Sequence, residues 1–226
     1  MQIIKNRLLP FFVAFFLLMP FLFISKLDLM VVVNTSRTPF FDVFFAKSSA
    51  LGNAITVAFV IFLVLLFRLK WLAVFLLGFI TQVVIVLLLK KGLFAGELRP
   101  YLFFRMNGLL DSVVMIEGLK MRYVNTFPSG HTATIFFLVS FFALLARNRV
   151  ASWVLLCVGL TVGFSRIYLF QHWYADVYFG MLFGTFSSII AYLVVKKYPK
   201  QWHTKQIRID FRGAIKETQN ALRQLF

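Results

Sequence analysis

Six apolar runs, near residues 8–25, 54–67, 71–90, 132–146, 150–170 and 174–195, take up most of this 226-residue chain and decide what it can fold into. About 20 mostly apolar residues carry a helix across the hydrocarbon core of a bilayer, and in lipid every backbone polar group must be satisfied within the segment. The runs at 54–67 and 132–146 are short for this; the other four are longer. The expectation is an all-α integral membrane protein, a bundle of six transmembrane helices over residues 1–195, with little chain left for a second domain. The first run follows Lys5 and Arg7 in the manner of a secretory signal, but it is long and no small-residue cleavage site follows it, so it reads as a retained anchor.

Basic residues divide unevenly between alternate connections. Lys5 and Arg7 precede the first run, Arg68 and Lys70 separate the second and third, Arg147 and Arg149 separate the fourth and fifth, and eight Lys or Arg from Lys196 to Arg223 follow the sixth. All of these fall on one side, and cytoplasmic segments carry the excess of Lys and Arg, so both termini are expected inside and the connections 26–53, 91–131 and 171–173 outside. The bias is moderate, because Lys26, Arg37, Lys47, Arg105, Lys120 and Arg122 make the outer connections basic as well. The formal net charge of +16 is thus a matter of topology. No interleaved basic and aromatic groove suggests nucleic acid as a partner. The single cysteine, Cys157, lies within an apolar run, forms no intramolecular disulfide and is expected to be a packing residue.

Smaller features add detail. Thr38 to Phe45, with Pro39 near its start, reads as a short interfacial helix or as a plain loop. Val113 to Tyr123 alternates around Glu117-Gly118 as a small hairpin would. The pairs Gly159/Gly163 and Gly180/Gly184 allow close helix approach, for internal packing rather than dimerisation. The basic tail, 196–226, spaces Ile215, Ala221, Leu222, Leu225 and Phe226 as an amphipathic helix on anionic headgroups would, or is a solvated tail.

Polar and ionisable residues at membrane depth are costly and usually have a task. Three clusters qualify: Lys91 with Arg99-Pro100; Pro128-Ser129-Gly130-His131; and Ser165-Arg166 with His172 and Asp176. On the six-span topology all lie at outer helix ends. Phosphoryl transfer needs its oxygens neutralised, an in-line nucleophile and a proton for the leaving oxygen. Lys91, Arg99 and Arg166 supply positive charge; Ser129 and Gly130 open a helix whose free N–H groups attract an anion. His172 and Asp176, four apart at the entry to the sixth run, share a helical face if the turn there is already helical, so that the carboxylate can hold one ring nitrogen and leave the other free to attack, with His131 as general acid. Each residue alone has an ordinary explanation, as helix cap or interfacial anchor. A zinc site from His131, His172 and Asp176 is disfavoured by the nearby cations. His203 falls on the opposite side and has no expected role.

In order and spacing these clusters resemble the three signature motifs of the type 2 phosphatidic acid phosphatase superfamily, over roughly residues 50–195. The second matches as Pro128-Ser129-Gly130-His131 and the third as Ser165-Arg166, five residues, His172, three residues, Asp176. The first departs: the family places six residues between its lysine and Arg-Pro, and seven separate Lys91 from Arg99. Lys91 is the expected lysine because Lys90 is farther off register, and a one-residue bulge before Arg99 restores its reach. The resemblance implies a phosphohistidine at His172, oriented by Asp176, with His131 as acid and no metal or cofactor. It also implies a lipid phosphate or diphosphate as substrate, of undecaprenyl diphosphate, phosphatidylglycerol phosphate, phosphatidic acid or lipid A type, met at the outer face of the plasma (inner) membrane. The alternatives are a lipid phosphotransferase with the same phosphohistidine and an anion or lipid transporter. Oligomeric state is not legible.

Overall fold

The run at 132–146 is apolar all the way round, the pattern of a helix buried on every side, and in the computed structural model it forms the centre of the molecule. This helix, α7 (Gly130–Leu145), is preceded by α1 (Gln2–Leu18), α2 (Lys26–Thr35), α3 (Pro39–Ser49), α4 (Ala54–Leu65), α5 (Leu69–Leu88) and α6 (Pro100–Met106), and followed by α8 (Arg149–Tyr168) and α9 (Tyr174–Lys197). The structure describes residues 2–65, 69–116, 118–146 and 148–205. Arg68, Arg147, Glu117 and the tail beyond 205, with its amphipathic pattern, lie outside the described residues.

Helices α1, α5, α8 and α9 pack around α7. Phe136, Phe137 and Phe141 of α7 are fully buried, and Phe75 of α5 meets Phe137 and Phe141 edge-on at 5.3 Å. Outer faces carry apolar side chains in the open: Phe16 is 76% exposed and Leu88 66%. That is a poor surface for water and a good one for lipid. Cys157 belongs to this outer surface, which corrects the expectation that it packs internally: it is exposed on α8 while Leu156 and Gly159 turn inward.

Four stretches are long and apolar enough to cross a membrane: Gln2–Phe23, Leu69–Leu93, Arg149–Tyr168 and Tyr174–Lys197. Pro39–Gly52 and Ala54–Val64 form a bent pair that is long and apolar enough only if the two are taken together as one broken span, and Gly130–Leu145 is a shorter apolar helix. Capping fixes several starts. Thr38 caps α3 with Pro39 at its first position, so the short-helix reading of 38–45 holds and continues to Ser49. Asn148 Oδ1 accepts from Ala151 N–H at 2.8 Å to start α8. At the bend, Asn53 Oδ1 accepts from Thr56 N–H at 3.1 Å, opening α4 at a new angle, 52° from α3.

The glycine pairs pack internally. A Cβ on Gly180 or Gly184 of α9 would lie 2.8 Å from Ser129 O or 2.2 Å from Ala133 O, so α9 touches the backbone of α7. Nearby, Ser140 and Ser188 share a hydrogen bond of 2.8 Å across the same contact. Opposite ends of the bundle differ in character. At one end Arg7 donates to Leu144 O at 2.6 Å, satisfying an orphan carbonyl at the C-terminus of α7, and Arg149 donates to Asn6. At the other, the start of α7 and of α9, the C-termini of α5 and α8, and the long connection 94–129 come together.

That connection is not a hairpin over 113–123. Among the described residues of this stretch there is no strand pairing. Val124 pairs instead with Leu98, supported by Arg99 N–H to Tyr123 O at 2.8 Å. The same pairing includes Thr126 N–H to Glu97 O at 3.4 Å and holds the backbone on either side of Arg99.

Candidate active site

His172 sits in the short connection between α8 and α9, 2% exposed, with its N–H bonded to Arg166 O at 3.1 Å. Asp176, three residues into the start of α9, accepts from Trp173 N–H at 2.9 Å, from Thr126 Oγ1 and, at 3.2 Å, from His172 Nδ1. A carboxylate at a helix N-terminus is well placed electrostatically, which helps a buried charge persist.

The other ring nitrogen, Nε2, lies 3.2 Å from Arg99 Nη1. A guanidinium has donors and no acceptor, so this contact requires a lone pair on Nε2; the ring proton is then on Nδ1, given to Asp176. Burial pushes the His172 pKa well below the ordinary 6.5, and the charges of Arg99, Arg166, Lys90 and His131 push it the same way. The imidazole is therefore neutral, with its lone pair aimed at a guanidinium.

Arg99 is 4% exposed and held as tightly as its target. Nε donates to Val124 O at 3.1 Å, Nη1 to Gln171 O at 2.9 Å and Nη2 to Asn125 O at 3.4 Å. Burial, with the nearby Arg122 charge second, lowers its pKa to about 10, still far above neutrality. Arg166, in the last turn of α8 and 8% exposed, donates from Nη1 to Ser49 Oγ, while its buried Nε has no partner. A buried unsatisfied guanidinium N–H is costly and marks a place where an oxygen belongs.

Ser129 caps α7, and its own N–H is tied to Asp176 O at 2.9 Å, joining the second and third motifs directly. His131, the second residue of α7, is partly buried on the same side, its backbone packed against Gly52. Of the expected residues, Arg99, Ser129, Gly130, His131, Arg166, His172 and Asp176 meet at this one end. Among the described residues no three His, Cys, Asp or Glu are grouped to hold a metal ion.

Lys91 is the exception. It is exposed, whereas Lys90 is half-buried and is the lysine whose charge reaches His172. The end of α5 winds into a π-turn over Leu89–Leu93 that contains both lysines. Lys90 continues the inward stripe of Gly78, Gln82 and Val86, each four residues before the next. That spacing was the available signal, and it outweighs the motif count.

Sequence reasoning also missed Thr126, bonded to Asp176 and 3.4 Å from His172 Nδ1, together with Ser49 and the Gln171 carbonyl. None has a local pattern that betrays it.

The family model of the PAP2 superfamily matches residues 71–200, more than half the chain, from the start of α5 through α9. The chain belongs to the PAP2 superfamily. Relatives within and around it differ in reach. A lipid A 4'-phosphatase of Bacteroides thetaiotaomicron is 27% identical over 185 residues, covering 77% of this PAP2 chain and 80% of the relative. The undecaprenyl-diphosphatase BcrC of Bacillus subtilis is 38% identical over 73 residues, 29% of this chain and 37% of BcrC. Among solved structures, LpxE of Aquifex aeolicus superimposes with a TM-score of 0.63 at 27% identity, over 76% of this chain and 94% of LpxE.

Proposed function

We propose that this PAP2 protein is an integral membrane lipid phosphatase acting through a covalent phosphohistidine on His172. The observation that carries the reading is the His172 ring itself: Nδ1 held by Asp176, and Nε2 bearing a lone pair within 3.2 Å of a buried guanidinium. A phosphoryl oxygen is a better partner for Arg99 than a ring nitrogen is, so an arriving phosphate takes over Arg99 and leaves Nε2 free to attack.

In this reading Lys90, Arg99 and Arg166 neutralise the phosphoryl oxygens, and the N–H groups at Ser129-Gly130 add the start of α7. The Nε2 lone pair forms the N–P bond, the P–O bond to the lipid breaks, and His131 protonates the leaving oxygen. Water, deprotonated by His131, then cleaves N–P and releases inorganic phosphate, restoring both histidines. No metal enters the cycle. The substrate class is a lipid phosphate or diphosphate, supported by relatives whose names specify lipid A 4'-phosphate and undecaprenyl diphosphate. Six spans are assigned by counting the bent pair and α7 with the four long helices. Both termini are placed in the cytoplasm and the site at the outer face of the inner membrane, on the charge bias of the connections. Residues 1–195 form the membrane domain, with the motif-bearing core from about 50, and 196–226 a basic tail.

The test is phosphate release by detergent-purified protein from a panel of lipid phosphates and diphosphates, with a chelator present and with and without acceptor lipids. Wild type is expected to release phosphate and His172→Ala to lose it. Turnover by folded His172→Ala overturns the nucleophile, activity lost to chelation overturns metal independence, and phosphate passed wholly to an acceptor lipid makes the protein a transferase.

A further inference from the structure

The bent pair α3–α4 stands outside all three sequence motifs, yet its apex touches two of them. Ser49, the last residue of α3, is 6% exposed and accepts the hydrogen bond from Arg166 Nη1. Three residues on, Gly52 lies against the backbone of His131, so closely that an added Cβ would stand 2.9 Å from the His131 carbonyl oxygen and 3.1 Å from its Cβ. One tight turn, Ala50–Gly52, thus braces a cation from α8 and an imidazole from α7.

We infer that the 49–52 apex is a positioning element for phosphoryl transfer, with Ser49 fixing the Arg166 fork and Gly52 seating the start of α7 at His131. The inference rests on the proposed function.

The chemistry of the anchor favours it. A carboxylate is the usual partner of a buried guanidinium, and among the described residues the one guanidinium–carboxylate pair is Arg37–Asp42, which does not involve Arg166. A carboxylate on Arg166 would cancel the charge that a phosphoryl group needs. A neutral hydroxyl holds one nitrogen in place and leaves the full charge and the unpartnered Nε for the substrate. The local sequence produces the device. Asn53 caps α4 and forces the change of direction, and Gly52 is the one residue type without a side chain to keep α7 away.

Positioning through Arg166 predicts non-additivity. Ser49→Ala and the near-isosteric Ser49→Cys, whose sulfur accepts hydrogen bonds weakly, should each lower kcat about tenfold with KM changed less than twofold, since the lost order matters in the transition state. Ser49→Thr, which keeps the hydroxyl, should retain more than half of wild-type kcat. In an Arg166→Lys background, Ser49→Ala should cost less than a further twofold. Ser48→Ala, next to it but only half-buried and bonded to Phe44 O rather than to Arg166, should leave kcat unchanged. An equal loss in both Arg166 backgrounds, or wild-type kcat in the Ala and Cys variants, overturns the inference. If Arg166→Lys itself leaves hydrolysis intact, the phosphate-binding role of Arg166 fails instead, and the two failures are told apart.

Discussion

Replacing Gly184 with alanine tests whether contact between α7 and α9 holds the two histidines in register. The new Cβ would stand 2.2 Å from Ala133 O, 2.7 Å from Phe137 N and 3.0 Å from Phe136 Cβ, whereas ordinary contact begins near 3.4 Å. Two of these atoms are helix backbone and cannot rotate away, so α9 must shift from α7 by about 1 Å. A misplacement of that size can cost about 100-fold in rate, and overpacking of this kind destabilises by about 1–3 kcal/mol. His131 starts one helix and Asp176 the other, so the shift falls on the reacting groups. Phosphate release under saturating substrate, with a thermal unfolding curve in the same detergent, reads both effects. Gly163→Ala is the control: its Cβ would meet Val177 Cγ1 at 3.4 Å and Thr132 Cγ2 at 3.5 Å, ordinary contacts, and should stay within twofold of wild type. A Gly184→Ala protein with wild-type kcat, or equal losses in the two variants, refutes the reasoning.

Three further outcomes are expected. Lys90→Ala should lower kcat/KM about 100-fold, the typical cost of removing one donor to a developing oxyanion, while Lys91→Ala stays within twofold; the reverse ranking, in the same phosphate-release assay, would restore Lys91. For His172 the folded pKa lies below 6.5, so the neutral, attacking ring survives acidification, and kcat/KM should not fall with a midpoint at 6.5 once the second ionisation of the lipid phosphate, near about 6, is titrated separately. An acid limb at or above 6.5 contradicts this. The same shift means that the unfolded chain binds more protons, so the stability it contributes is present above pH 6.5 and declines as pH falls below that value toward the folded pKa, which thermal unfolding across pH measures.

What could be read from the chain was what lies within one helix or one turn. Run length sufficed for the four long apolar stretches, because apolar length alone selects them. The four-residue step from His172 to Asp176 foretold a bond that the structure shows at 3.2 Å, but through the capping turn at Trp173, whose N–H also reaches Asp176, and not through a shared helical face, since His172 precedes α9. Thr38-Pro39 foretold the start of α3 for the same local reason.

Contacts between helices were decided only by tertiary structure. Whether Lys90 or Lys91 faces His172 depends on the phase of α5 at its π-turn, and the motif count misjudged it by one position. The partners of the site, Thr126 on Asp176 and Ser49 on Arg166, lie 50 and 117 residues from the groups they hold. Such pairings leave no periodic trace, because they come from the bend at Asn53 and from glycines that let α9 rest on α7. Residue identities along each helix therefore specify the chemical groups, and the packing of the helices determines which of them meet.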